Sequence, residues 1–330
     1  MSHSIRALRH SVLLALGCCL VVPSGAVVSP GVEVTEGVDR VTISVDGEML
    51  TELRHQGAPK PYFYPLHGPG GVALTRNYPM RTDAEDEAKD HPHHRSLWFT
   101  HGDVNGVDFW AEGPSKGRVV QTRVLEAKGG PESGVLRTAN RWETSAGKAL
   151  LTDETTVRVH RTPLGRMFDY RVVLRASEGV DLTFGDTKEG TMAVRLAESM
   201  RLAPNKHYQG KTPGTILQST GVKDGATWGK RAGWTAYTGP VGGKPMTVVI
   251  FDHPANPRYP TWWHVRDYGL FAANPFGVHD FERKPAGAGN LVVKAGDSVA
   301  FSYRFLLLAG EADTAALEKV AHAFAKTAAH

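Results

Sequence analysis

Val41-Thr-Ile-Ser-Val-Asp-Gly-Glu-Met-Leu-Thr-Glu-Leu53 decides the fold class. Val41, Ile43 and Val45 alternate with polar residues, Asp46-Gly47 interrupts them, and Met49, Thr51 and Leu53 resume the alternation. A two-residue period sends successive side chains to opposite faces, and Asp-Gly tolerates the positive φ of a tight turn, so the stretch predicts a β-hairpin. Short apolar runs bounded by Gly, Pro, Asn or Asp follow at 119–125, 155–160, 168–174, 192–196, 247–251, 269–273 and 299–308. Helical period appears only at the end, where Leu317, Val320, Ala321 and Phe324 share a face behind Asp313 or Thr314 as N-cap. The expectation is an all-β protein: a single large antiparallel β-sandwich over residues 27–330 with a C-terminal helix. No repeat period or low-complexity linker divides it. The acidic stretch 83–90 reads as a solvated surface loop.

Arg6 and Arg9, an apolar run over 12–22, and small residues at Ser24 and Ala26 form the pattern of a secretory signal cut after Ala26. The run is about half of the roughly 20 residues that cross a bilayer as a helix, so no transmembrane segment is expected and the chain is read as periplasmic or secreted. Gly17-Cys18 offers a lipoprotein alternative. Both cysteines, Cys18 and Cys19, fall within the signal, which excludes disulfides and thiolate chemistry from the mature chain. The formal charge is +4, of which Arg6 and Arg9 supply two, and no concentrated basic patch points to nucleic acid.

Chemistry-bearing residues concentrate in 90–110, Asp-His-Pro-His-His-Arg-Ser-Leu-Trp-Phe-Thr-His-Gly-Asp-Val-Asn-Gly-Val-Asp-Phe-Trp. A strand over 95–101 places His93, Arg95, Leu97, Phe99 and His101 on one face and His94, Ser96, Trp98 and Thr100 on the other. The strand ends, with His93, His94 and Arg95 before and His101, Asp103 and Asn105 after, are the expected working groups. Three readings stay open. The histidines act as acid, base or donor to a polyhydroxylated ligand; His94, His101 and Asp103 bind a divalent metal; or the histidines, His91 at its Pro92 turn above all, satisfy buried carbonyls. In Gly185-Asp-Thr-Lys-Glu-Gly190, Asp186 and Glu189 are candidate bases and Lys188 a candidate oxyanion stabiliser, with Arg195 following. A third group comprises Arg231, His253, Asn256, Trp263, His264, Arg266 and Asn274. It combines the aromatic faces and bidentate hydrogen-bonding groups that suit sugar rings, as does Trp110. His253 is counted with the catalytic candidates, and one of Trp262 and Trp263 is expected in the core.

His91-Pro-His-His-Arg-Ser-Leu-Trp-Phe99, His101-Gly-Asp-Val-Asn-Gly-Val-Asp-Phe-Trp110, Gly185-Asp-Thr-Lys-Glu-Gly190 and Ala273-Asn-Pro-Phe-Gly277 resemble the exported bacterial family labelled "PmoA family", or methane-oxygenase-like, a domain of unknown function. Methane oxidation is rejected, because the methane monooxygenase subunit spans the membrane several times and this chain has no such segments. Arg76-Asn77 and the His-Gly turn before an aromatic strand are similar to galactose mutarotase-like β-supersandwiches. That likeness implies a sugar cleft with a histidine acid and a glutamate base, for which Glu282 is the late candidate. The expected function is an exported carbohydrate-active hydrolase, lyase or epimerase with a small-molecule sugar partner and no cofactor beyond a possible divalent metal. The alternatives are a non-catalytic glycan-binding protein and a histidine-ligated metalloprotein.

Overall fold

The computed structural model describes Met1, residues 30–209 and residues 213–328. The expected signal, with Cys18, Cys19 and the cut after Ala26, lies outside the described residues. Among the described residues no helix is long and apolar enough to cross a membrane.

The described residues form eighteen strands. In chain order they begin with β1 (Val32–Glu36), β2 (Arg40–Val45), β3 (Glu48–Arg54), β4 (Tyr62–Leu66) and β5 (Leu97–His101). The long strands β6 (Arg118–Lys128), β7 (Ser133–Glu143), β8 (Ala149–Thr162) and β9 (Gly165–Ala176) follow. Then come β10 (Leu182–Phe184), β11 (Gly190–Arg195), β12 (Thr215–Gln218), β13 (Trp234–Val241) and β14 (Lys244–Asp252). The last are β15 (Trp262–Val265), β16 (Leu270–Asn274), β17 (Leu291–Val293) and β18 (Ser298–Ala309). One eight-stranded sheet runs β1-β2-β3-β4-β5-β11-β16-β15, the other β12-β13-β14-β18-β9-β8-β7-β6, and β10 pairs with β17 apart from both. The pairings are antiparallel, and β8 and β9 carry the alternation of buried and solvated residues common in such sheets.

The two sheets bury their inner faces against each other. Phe99 of the first meets Tyr170, Trp142 and Phe301 of the second at ring separations of 6.2 to 6.5 Å. Met192, Val194, Phe271 and Trp263 extend this core. Helix α1 (Val278–Glu282) is short, whereas α2 (Thr314–Ala325) closes the chain with Asp313 as its N-cap, accepting from the Ala315 and Ala316 amides. Leu317, Val320 and Phe324 pack on Trp234, Phe251 and Leu306, on the outer side of the second sheet.

Three local expectations change. The strand begins at Leu97 rather than at Arg95, because the His94 amide bonds to the His91 carbonyl at 3.0 Å and the Arg95 amide to His93 at 3.1 Å, closing a turn. A bulge between Ile43 and Ser44 shifts the hairpin register, so that Leu50 and not Met49 is fully buried beside Thr51 and Leu53. The acidic stretch 83–90 is mostly exposed, but Glu87 is buried and accepts from the Asn77 and Tyr78 amides and from the Asn77 side chain.

Candidate active site

Cross-strand register defines a floor on the outer face of the first sheet. His264 of β15 pairs with Ala272 of β16, Ala272 with Ala193 of β11, and Ala193 with Trp98 of β5. Three strand spacings place His264 and Trp98 about 14 Å apart, with two alanines between them. The next row joins Arg195 to Leu270, whose carbonyl accepts from the Arg266 amide. Residues from the connecting loops are built over this floor.

Behind Trp98 the wall is charged and dry. Lys60 is 2 % exposed, lies 5.5 Å from the Trp98 ring, and donates to the Trp110 carbonyl at 3.0 Å. Its ammonium stands 3.1 Å from Glu112, which Arg95 grips with two bonds of 2.7 Å. Burial lowers the Lys60 pKa to about 8 against the opposing pull of Glu112. Burial pushes the Glu112 carboxyl up, but Arg95 and Lys60 outweigh it and hold the group below its usual range.

The three histidines of the 90–94 turn converge in front of that wall. Their ligand-capable nitrogens lie within 4.8 Å of one another. His94 stacks on Trp98 at 5.4 Å, His91 on His94 at 4.6 Å, and Tyr268 on His91 at 5.6 Å, while His93 meets His94 edge-on at 4.5 Å. Trp98, His94, His91 and Tyr268 thus form a ladder in which the faces of the two histidine rings are occupied, so these imidazoles can offer a ligand only their edges. Burial, with neighbouring cations, lowers all three: His93 to about 4, His94 well below its ordinary value, and His91 downward. The imidazoles are neutral at pH 7.

Arg195 sets the tautomer of His94. Its guanidinium is always a donor and reaches His94 Nδ1 at 3.1 Å, so Nδ1 accepts and the hydrogen of the neutral ring sits on Nε2. Arg195 also donates to Asp90 Oδ1 at 2.9 Å and lies 4.7 Å from the Tyr268 ring centroid. Arg76, fully buried, bonds the same Asp90 oxygen and the His91 carbonyl, which holds the histidine turn against the sheet. Burial raises the Asp90 carboxyl, but the two guanidinium groups outweigh it and lower its pKa.

The opposite wall comes from the 186–190 turn, β15 and the β15–β16 turn. Burial raises the Glu189 carboxyl against the pull of Lys188, whose ammonium is 3.7 Å from both Glu189 and Asp280. Glu189 and Asp90 both act electrostatically on the Tyr268 phenol, raised chiefly by burial. Burial lowers His264 to about 3, with the cations Arg266 and Lys188 adding to the effect, and its Nδ1 is buried without a partner. The structure therefore gathers His93, His94, Lys188, Glu189, Arg195, His264 and Arg266 around one patch of the outer face.

Other sequence candidates are placed elsewhere. His101 points to the core side of β5, between Phe184 and Phe276, bonds the Gly185 carbonyl at 2.8 Å, and is lowered by burial to about 4. Asp103 accepts from the Gly106 amide, and Asn105 staples the 181–183 segment through both side-chain atoms. The set His94, His101 and Asp103 is consequently not brought together. Asp186 accepts from the His279 and Gly289 amides and fastens loops. His253 and Asn256 belong to the other sheet: His253 packs on Phe324 and lines a groove of about 610 Å³ with His160 and Asp169, and Asn256 joins Asp252 to Ser302. Trp263 is core, donating to the Ala232 carbonyl, while Trp262 on the other face donates to Glu282. Arg231 bonds the Pro260 and Arg258 carbonyls over Trp262, and Asn274 is consumed by Thr187 and Phe276. Arg95 is fully engaged by Glu112, and Trp110 is 2 % exposed, packed against Trp98 at 5.0 Å.

Sequence reasoning assigned His91 to a structural turn and left out Asp90, Lys60, Glu112 and Tyr268. Position 91 gave a signal in hindsight, since three histidines in four residues cannot all point apart in a turn. The others depend on contacts between residues far apart in sequence, from the 17 residues between Arg95 and Glu112 to the stacking of Tyr268 on His91.

The model of one sequence family matches residues 40–322. The chain belongs to DUF6807, a family of unknown function. This match gives no support to the methane-oxygenase-like label. No curated protein matches the sequence. Among solved structures, the chain is similar to a galactose mutarotase related enzyme from Lactobacillus acidophilus, at 11% identity and TM-score 0.30, covering 85% of this chain and 97% of that one. It is also similar to a galactose mutarotase-like protein from Lactobacillus casei, at 8% identity and TM-score 0.35, covering 84% and 100%. Likenesses this distant identify no activity.

Proposed function

We propose that this DUF6807 member is an exported carbohydrate-active enzyme whose acid–base site is the patch around Glu189 and the 91–94 histidines. The observation that supports the reading is that Tyr268 stacks on His91 of the histidine cluster and lies in the field of Glu189, so that a carboxyl raised by burial and a neutral imidazole whose donor hydrogen is fixed by Arg195 flank the same ring. A raised carboxyl holds a proton more readily than an ordinary carboxylate and is the stronger base when ionised. A neutral imidazole with its hydrogen on Nε2 suits an oxygen on which negative charge develops, because its N–H is a weak acid that donates a hydrogen bond without giving the proton up. In this reading Glu189 takes a proton from the substrate while His94 Nε2–H stabilises the oxygen that gains charge. His91 and His93 donate from their edges to neighbouring hydroxyls, and the proton that Glu189 takes, from carbon in a lyase or epimerase and from water in a hydrolase, is returned from its carboxyl to the leaving oxygen or to the carbon of the product.

The test is a panel of glycosides, keto-glycosides and uronates, followed for change of anomer, linkage or unsaturation with wild-type protein and Glu189→Gln. The reading expects at least one conversion, slowed at least 100-fold in the variant. Binding without conversion would move the protein to the glycan-binding alternative, and inert protein on every sugar would remove the proposal. The proximity of the three imidazoles favours a second reading, a metal site at His91, His93 and His94. Metal content of the untagged chain decides it: fewer than about one tightly held ion per ten chains counts against it.

A further inference from the structure

A guanidinium withdrawn from water needs a compensating charge nearby, because the lost hydration is recovered only by a matched partner. Arg76 and Arg195 are both fully buried, yet both reach one and the same oxygen, Asp90 Oδ1. That carboxylate has a side chain 40% exposed and shares its charge with solvent. Arg195 Nε is buried with no hydrogen-bond partner. Arg266, in the adjoining row and 5.5 Å from the Tyr268 ring, enters no ion pair among the described residues. The Tyr268 end of the patch therefore holds three guanidinium groups against a shared, partly solvated Asp90, while the other nearby carboxylates already have cations of their own, Glu198 with Arg201 and Glu189 with Lys188, so positive charge is in excess there.

The imidazole cluster taken alone invites a cation, but its surroundings oppose one. The Arg195 bond occupies the Nδ1 lone pair of His94 and leaves a hydrogen on Nε2, so neither nitrogen is free to ligate as the ring stands. A divalent ion at the cluster would also face Arg195 and Arg76 at short range. An anion is attracted by the same groups, and each neutral imidazole has one N–H with which to meet it.

Resting on the carbohydrate reading above, we propose that the substrate is an acidic sugar, a pyranose ring bearing a carboxylate. Its carboxylate is received by Arg266 in the field of Arg195 and Arg76, and its hydroxyls meet the edges of His91 and His93. Tyr268, held between His91 and the two arginines, sets the separation between these two contacts.

The experiment is calorimetric titration of the full chain with methyl glucuronide and methyl galacturonide against methyl glucoside and methyl galactoside, with sodium sulfate and zinc chloride as separate arms. At least one uronide is expected to bind 10-fold or more tightly than its neutral counterpart, with the preference shrinking as salt is raised. Arg266→Gln, a half-exposed position, is expected to remove that preference while leaving the unfolding midpoint unchanged. Equal binding of the acidic and neutral glycosides overturns the acidic class and leaves the carbohydrate reading standing. Silence toward all four overturns both. Sulfate binding as tight as the uronide, or one zinc ion per chain lost in His93→Ala without uronide binding, also overturns the proposal.

Discussion

Lys60→Met probes whether the wall behind the histidines is as dry as its geometry implies. Lys60 is buried, and its pKa of about 8 stands below the ordinary 10.5 because burial outweighs Glu112. The unfolded chain therefore binds more protons than the native one between these two values, and stability rises with pH across that window. Read as free energy, the difference is on the order of 3 kcal/mol, which is present above pH 10.5 and is lost as pH falls through 8. Methionine keeps the stem over Trp98, removes the ammonium, and leaves Glu112 its two bonds to Arg95. Urea midpoints for both proteins at half-unit steps from pH 7 to 10.5 give the comparison, since groups common to the two cancel. Wild type is expected to gain about 3 kcal/mol on the variant over the window. A difference that stays flat with pH would refute the reasoning and mean that water reaches Lys60.

Asp153 is buried and accepts from Trp142 Nε1 at 2.7 Å, Asn140 at 2.7 Å and Thr155 at 2.9 Å; Asp153→Ala leaves three donors unsatisfied and is expected to cost at least about 3 kcal/mol by urea unfolding. Asp169 holds Arg304 by two bonds on the second sheet, so Asp169→Ala should lower stability by about 3 kcal/mol, a loss that Asp169→Glu recovers only in part. Phe324→Ala, which strips the α2 anchor from His253 and from the apolar cluster, is expected to cost about 3 kcal/mol and to leave sugar turnover unchanged, measured side by side.

The fold was legible because a two-residue period survives wherever one face of a strand is buried. The hairpin at 41–53, the runs that became β8 and β9, and the Asp313 cap of α2 follow from that period or from cap chemistry, whereas β11 and the middle of β18 are buried on both faces and read as plain apolar runs. Ordering of the sheets was not legible, since β5 joins β11 and β16 joins β11 only through long-range pairing. The site was half legible for the same reason. Histidines adjacent in sequence had to share a neighbourhood, but which side of β5 they faced depended on the 91–95 turn. His93 and His101, assigned to one face by extrapolating the strand, ended on opposite sides. Residues such as Asp186, Asn105 and Asn274 carry polar groups that loops require for their own closure, and sequence alone does not separate that use from ligand binding.

The central claim is that the 91–94 imidazoles serve as neutral hydrogen-bond donors to an oxygen-rich ligand. Long-range ¹H–¹⁵N correlation spectra of histidine-labelled protein at pH 6 report the protonation and tautomer of each ring directly. The account predicts His94 neutral with hydrogen on Nε2 and an accepting Nδ1, and His93 neutral as well. A doubly protonated His94, or a neutral ring with its hydrogen on Nδ1, would contradict it.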